Sequence, residues 1–135
     1  DIDMAETLQS EMLSITEEIL SELGLPYRKI RICAGDMGTG KYKAFDLEAW
    51  MPGLDRWGEL GSASNFTDWQ ARRLDVKYRD PETGKKTPVY MLNNTALTSI
   101  RPLIAILENF QQADGSVVMP EVLRPYVGKD RLVAV

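Results

Sequence analysis

Histidine is missing altogether from these 135 residues, cysteine occurs once, and no apolar run approaches the ~20 residues that a membrane-spanning helix needs. Each absence removes a class of function. Without histidine there is no imidazole base for a hydrolase triad and no histidine-rich zinc cluster. A lone Cys33 cannot form an internal disulfide, so nothing marks a secreted, cross-linked scaffold, and no membrane partner is expected. Net positive charge is lacking too. Twenty acidic against sixteen basic side chains give −4, which argues against this chain gripping nucleic acid as a whole, because Lys and Arg supply most of the affinity for phosphate backbones. Any RNA contact has to be local or lie elsewhere.

What is present is an ordinary globular composition, 44% apolar and 27% charged, in a length suited to one domain with one core. The chain starts at Asp1 without a methionine or an Arg-rich or signal-like leader, so an excised or partly supplied segment is expected. Met4, Leu8, Met12, Ile15, Ile19 and Leu23 recur at helical spacing and mark one face of an amphipathic helix over residues 4–23, ended by Gly24 and Pro26. Alternation follows. Ile30 and Ile32 belong to one strand, and Phe45, Leu47 and Ala49 face away from Asp46, Glu48 and Trp50 in the next. Further strands are expected over 57–63, 74–79 and 87–92, a short helix over 68–73, polar turns at 80–86 and at Asp114-Gly115, and a short element from Pro120. Short connections between strands imply an antiparallel sheet flanked by helices, the α+β class.

The segment 100–110 is apolar around most of its circumference and reads as a buried helix, with Pro102 in the first turn where its missing N–H costs nothing. Arg101 therefore stands at a helix entrance beside free backbone donors, a suitable place for a phosphate. GELGSASN puts Glu59 and Ser62 on a small-residue segment where backbone can approach a ligand closely, a pattern equally compatible with a plain strand end. Thr95, shortly after Asn93, reads as a turn or capping hydroxyl on residue chemistry alone.

Other patterns carry less. GDMGTGK, Gly35 to Lys41, follows a phosphate-loop pattern for seven positions, but Tyr42 stands where a magnesium-binding Ser or Thr is required and the following residues alternate as a strand. A hairpin connection fits better. Asp46 and Glu48 share a strand face and read as a solvated or salt-bridged pair rather than a metal site. Arg72 and Arg73 read as surface residues. Asn65-Phe66-Thr67 and Asn93-Asn94-Thr95 match the glycosylation pattern without any sign of secretion.

The stretch from Asn93 to Tyr126, with the tail LENFQQADGSVVMPEVLRPY, resembles the third motif of class II aminoacyl-tRNA synthetases in the form found in seryl-tRNA synthetases. The block from Cys33 to Leu74 resembles the segment that precedes that motif, and the two blocks lie in the right order over most of the chain. The resemblance implies that residues 1–135 are the C-terminal portion of a class II catalytic domain. It implies serine activation by ATP and transfer to tRNA(Ser), with Arg101 on the polyphosphate, Glu59 and Ser62 on ATP and its Mg2+, and Thr95 with Asn93 at the serine substrate. It also implies a homodimeric parent enzyme. The first and second motifs and the tRNA-binding helical arm have no match in the chain, so tRNA contacts are expected outside it and the chain alone is expected to be inactive. A non-catalytic paralogue or fragment with an assembly role is the alternative. Ile100 replaces the glycine and Phe66 the cysteine that common bacterial members carry; mitochondrial-type members also abandon that glycine, so the resemblance implies a mitochondrial-matrix setting with the cytoplasm as the other option.

Overall fold

A computed structural model describes residues 1–133. Its first helix, α1 (Ile2–Glu22), is started by the Asp1 carboxylate, which accepts the Met4 N–H at 2.9 Å. Gly24, at φ +68°, ends it: the Gly24 and Leu25 N–H groups turn back to the carbonyls of Ser21 and Leu20. Leu25 and Leu20 then bury together in the core, so the helix stop and the first core contact are one motif.

The buried face of α1 is not the expected one. Ala5, Gln9, Leu13, Thr16 and Leu20 are buried, whereas Met4 and Ile15 remain 59% and 49% exposed; of the expected set Leu23 is in the core and Ile19 packs against it. The helix is thus rotated by about one residue, roughly 100°, from the face that the apolar spacing suggests. The reason lies in the sheet beneath it. Gln9 Nε2 donates to the carbonyls of Lys43 and Ala63 at 3.2 Å, and Asn94 Nδ2 reaches Met12 O at 3.0 Å and Thr16 Oγ1 at 3.2 Å. Polar groups with such partners can be buried, and those partners are tertiary.

The main sheet is antiparallel throughout, in the order β1 (Tyr27–Arg31), β2 (Lys43–Met51), β3 (Arg56–Asn65), β6 (Leu92–Asn94). Outside it, among the described residues, β4 (Lys77–Arg79) forms a hairpin with β5 (Lys86–Pro88), and β7 (Val117–Val118) pairs with β8 (Arg131–Leu132) across a connection that carries a short helix. The expected strand over 87–92 is therefore split, because Pro88 has no N–H to continue a ladder and the chain passes from one sheet to another after it. Its predecessor is shorter than expected, since Leu74 belongs to α2 (Trp69–Leu74) and Asp75, at φ 53°, ends that helix. The β7–β8 pair and α4 (Arg124–Val127) have too few residues to show a period.

Helices α1 and α3 (Ile100–Phe110) pack on the same side of the sheet, over Leu47, Ala49, Met51, Leu60 and Ala63. Asn109 Nδ2 clamps the end of α3 to Trp50 O at 2.9 Å. Helix α3 is not buried all round: Pro102, Ala105 and Ile106 face the core, and Ile100 is 71% exposed. Within this chain β2, β3 and β7 cover one face of it and leave the rest outside.

Two substitutions in α1 distinguish the observed face from the expected one. Leu20→Ala is expected to cost about 2–5 kcal/mol through a cavity in the core. Ile15→Ala should stay within about 0.5 kcal/mol, as surface changes do. Urea midpoints of the two variants measure the difference, and equal losses would contradict the rotated packing.

Candidate functional site

In a regular strand Glu59 and Ser62, three positions apart, would point to opposite faces. The pairing of β2 with β3 prevents this. Leu47 pairs with Gly61 and Glu48 with Glu59, so Leu60 is an extra residue, a β-bulge. Leu60 turns into the core, where it is buried. Glu59 and Ser62 come to the same face, opposite Glu48 and Asp46 respectively. Asn93 joins them from β6 by pairing with Ser64. Its neighbour Asn94 faces the other way, toward α1.

Past β6, the Thr95 N–H donates to Ser62 O at 2.9 Å and Thr98 Oγ1 reaches the carbonyl of bulged Leu60 at 3.4 Å. This close approach depends on Gly61. A Cβ there would lie 2.2 Å from Thr95 O, a backbone atom that cannot swing away. The chain then turns into α3, and Arg101 Nη1 donates to Glu59 O at 2.8 Å and lies 3.4 Å from Glu59 Oε2. Their side chains are 56% and 44% exposed, so this ion pair adds at most about 1 kcal/mol to stability. What it contributes is placement: a guanidinium, a carboxylate and a hydroxyl gathered at one edge of the sheet. Open grooves border the site, one lined by Trp57, Glu59, Arg101 and Ile104, another by Glu59, Thr98, Ile100 and Arg101. Ile100 stands on the rim of the second.

Glu59, Ser62, Asn93 and Arg101 thus come together where β3, β6 and α3 converge, and Thr95 reaches the same place through its backbone bond to Ser62. Gly61 and Thr98, which brace the arrangement, carry no sequence pattern of their own. The two β2 carboxylates divide. Glu48 forms an ion pair with Arg28 at 2.6 Å, and that guanidinium lies 4.8 Å over the Trp57 ring. Asp46 has no such partner among the described ion pairs. Its pKa is raised above 3.8 by burial first and then by the negative charge of Glu59, with Lys41 opposing and Glu48 adding. GDMGTGK is the hairpin connection between β1 and β2; Gly40, at φ +88°, lies against the Trp69 ring. The groove beside it, lined by Cys33, Met37 and Tyr42, holds none of the candidate groups.

Among the described residues no group of three or more His, Cys, Asp or Glu side chains is arranged to hold a metal. Glu59 and Ser62 offer hard oxygen donors, which suit Mg2+ when ligand phosphates and water supply the remaining coordination.

Residues 3–110 match the family model described as the tRNA synthetase class II core domain (G, H, P, S and T). Over 130 residues the chain is 50% identical to a serine–tRNA ligase of Treponema denticola, covering 95% of this chain and 31% of the relative. A serine–tRNA ligase of Rubrobacter xylanophilus is 52% identical over 123 residues, 91% of this chain and 29% of the relative. Among solved structures, seryl-tRNA synthetase of Pyrococcus horikoshii complexed with ATP superposes with a TM-score of 0.94 at 44% identity, covering 98% of this chain and 30% of that one. The cytoplasmic serine–tRNA ligase of Naegleria fowleri in complex with AMP gives 0.86 at 40%, covering 94% and 30%. The chain therefore spans about 30% of the length of these relatives.

Asp46 generates a pH test. Its folded pKa is raised, so the native state holds the proton more tightly than the unfolded chain, and stability falls as pH rises from 3.8 through the folded value. Asp46→Asn is expected to melt above the parent chain at pH 7, with the gain disappearing as pH drops below 3.8. Thermal melts across this range check it, and a gain independent of pH would contradict the carboxylate as its source.

Proposed function

Given that this chain belongs to the class II tRNA synthetase core family, we propose that it forms the C-terminal part of the catalytic domain of a serine–tRNA ligase. The reaction is activation of serine by ATP to seryl-adenylate and pyrophosphate, followed by transfer of serine to tRNA(Ser). The observation that carries this reading is the shared face of Glu59 and Ser62, with Arg101 hydrogen-bonded to Glu59 and the Thr95 backbone bonded to Ser62.

Adenylation needs no protein nucleophile. A serine carboxylate oxygen attacks the α-phosphorus, a new O–P bond forms, and the bond to pyrophosphate breaks with its electrons leaving on the pyrophosphate oxygen. What the protein must do is hold two anions together and neutralise the charge that gathers on the phosphates. Arg101, on its tether to the Glu59 carbonyl, faces the polyphosphate. Glu59 and Ser62 would hold Mg2+, which when bound would supply further positive charge to the phosphate oxygens. Thr95 and Asn93 supply exposed polar groups for the serine substrate. A site built to satisfy the substrate hydroxyl rejects alanine strongly, because the analogue leaves a buried polar group unpaired.

The superposed relatives complexed with ATP and with AMP support nucleotide binding by the parent enzyme. Homodimerisation belongs to the same proposal for the parent enzyme. The relatives described include bacterial enzymes and a cytoplasmic one, and lend no support to a mitochondrial setting. A non-catalytic paralogue is the less economical reading, because a decayed site has no chemical reason to keep Arg101, Glu59, Ser62 and Thr95 in one arrangement. The 135-residue chain alone, about 30% of a relative's length, is expected to show no serine-dependent ATP–pyrophosphate exchange.

In the full-length protein Arg101→Ala should lower kcat/KM for serine-dependent exchange by about thirty- to a thousandfold, or ~2–4 kcal/mol. Thr95→Val keeps the side-chain shape and removes the hydroxyl, so it should narrow the ratio of kcat/KM for serine over alanine. Exchange kinetics of both variants with the two amino acids decide the matter. Unchanged rates for Arg101→Ala would remove the phosphate role, and an intact ratio with a lowered melting point would make Thr95 a turn residue.

A further inference from the structure

The β4–β5 hairpin carries charge against the trend of the chain. Between Arg72 and Tyr90 lie six cations and three carboxylates, a net +3 within a chain of net −4. Arg72 is occupied by Asp68, and Arg73 stacks 3.4 Å over the Trp69 ring. The four cations of the hairpin itself, Lys77, Arg79, Lys85 and Lys86, are all exposed. Register sharpens the point. Lys77 pairs with Pro88 and Arg79 with Lys86, so Lys77, Arg79 and Lys86 share one face and the last two stand directly across from each other.

A directly opposed like-charge pair destabilises a hairpin, and an acidic residue at either position would relieve it at no cost to the fold. The neighbouring carboxylates offset it only in part, Asp75 being the one close enough to feel Lys86. Asp75 pairs with Lys77, and Asp80 Oδ1 is taken up by the turn amides of Glu82 and Thr83 at 2.9 and 2.7 Å. No ion pair involves Arg79, Lys85 or Lys86 among the described residues, and Arg79 Nη1 donates only to the Gly84 carbonyl of the turn at 3.0 Å. A groove lined by Asp75, Lys77, Tyr78, Arg79 and Lys86 runs along the hairpin, and the Tyr78 ring is half exposed on the face opposite Lys77, Arg79 and Lys86. Exposed cations clustered on one face of a ribbon suit a sugar–phosphate backbone better than a protein surface.

We propose that the β4–β5 hairpin is an RNA contact, binding the phosphate backbone of the tRNA that the reaction proposed above uses. The inference rests on that reading for the identity of the RNA, and it places part of the tRNA surface inside this chain rather than wholly outside it. Past Pro88 the chain runs through Val89–Met91 straight into β6 and Asn93, so the RNA-binding ribbon is one short connection away in sequence from the substrate groups.

The test uses the full-length protein with Arg79→Ala, Lys85→Ala and Lys86→Ala combined. Serine-dependent ATP–pyrophosphate exchange, which involves no RNA, should be unchanged, and the melting temperature equal or higher because the like-charge pair is gone. The Kd for tRNA(Ser), measured by filter binding over a salt series, should rise about tenfold or more at low salt, and the slope of log K against log salt should shrink by about two. Unchanged tRNA affinity and slope overturn the proposal, including the case where the variant instead loses an acidic protein partner. Absence of exchange in the unsubstituted protein would count against the serine–tRNA ligase reading, while the salt series still decides whether the hairpin binds RNA.

Discussion

One extra residue in β3 is the constraint on which the site depends. Leu60 is inserted between Glu59 and Gly61 relative to the partner strand, and its side chain goes into the core. Burial of a leucine stabilises by roughly 1.5–3 kcal/mol, so the bulge is held by the same apolar packing that holds the sheet. Its consequence is polar. Two oxygen-bearing side chains that strand alternation would separate are delivered to one face, and Thr98 covers the bulge carbonyl from the segment that leads into α3. The core therefore sets the spacing of the site.

From this point the remaining groups follow by close approach. Gly61 has no Cβ, which lets the backbone at Thr95 come down onto β3 and bond to Ser62. The short run from Thr95 to Ser99 then places the first turn of α3 where Arg101 meets Glu59. Negative charge accumulates as a result. Glu59 lies near enough to Asp46 to raise its pKa, and Glu48 is relieved by Arg28. A surface of this kind favours cations and, with Arg101 beside it, a ligand whose phosphates arrive with their own metal ion. Such an arrangement has some cost in stability, as functional sites commonly do.

How much of this the sequence reveals depends on whether the cause is local. Helix α1, the β1–β2 hairpin, the strand carrying Glu59 and the helix entrance at Arg101 are legible because caps, alternation and Pro102 act within a few residues. The rotation of α1 is not, since Gln9 and Thr16 read as polar and become buriable only through Lys43, Ala63 and Asn94. The break after Pro88 is a choice between two sheets, and only pairing partners decide it. The five site residues were nameable by resemblance, but the reason that Glu59 and Ser62 cooperate is a register shift between two strands. No pattern within β3 alone encodes that shift, because a bulge is defined by its partner.

The central claim is that the bulged face of β3, with Thr95 and Arg101 above it, is the adenylation site. The direct test is a crystal structure of the full-length protein with serine, Mg2+ and an ATP analogue that cannot release pyrophosphate. The polyphosphate of the analogue should lie over Glu59, Ser62 and Arg101, and the serine hydroxyl within hydrogen-bond reach of Thr95. An analogue bound away from this face, or bound here with Thr95 and Arg101 both out of contact, would contradict it.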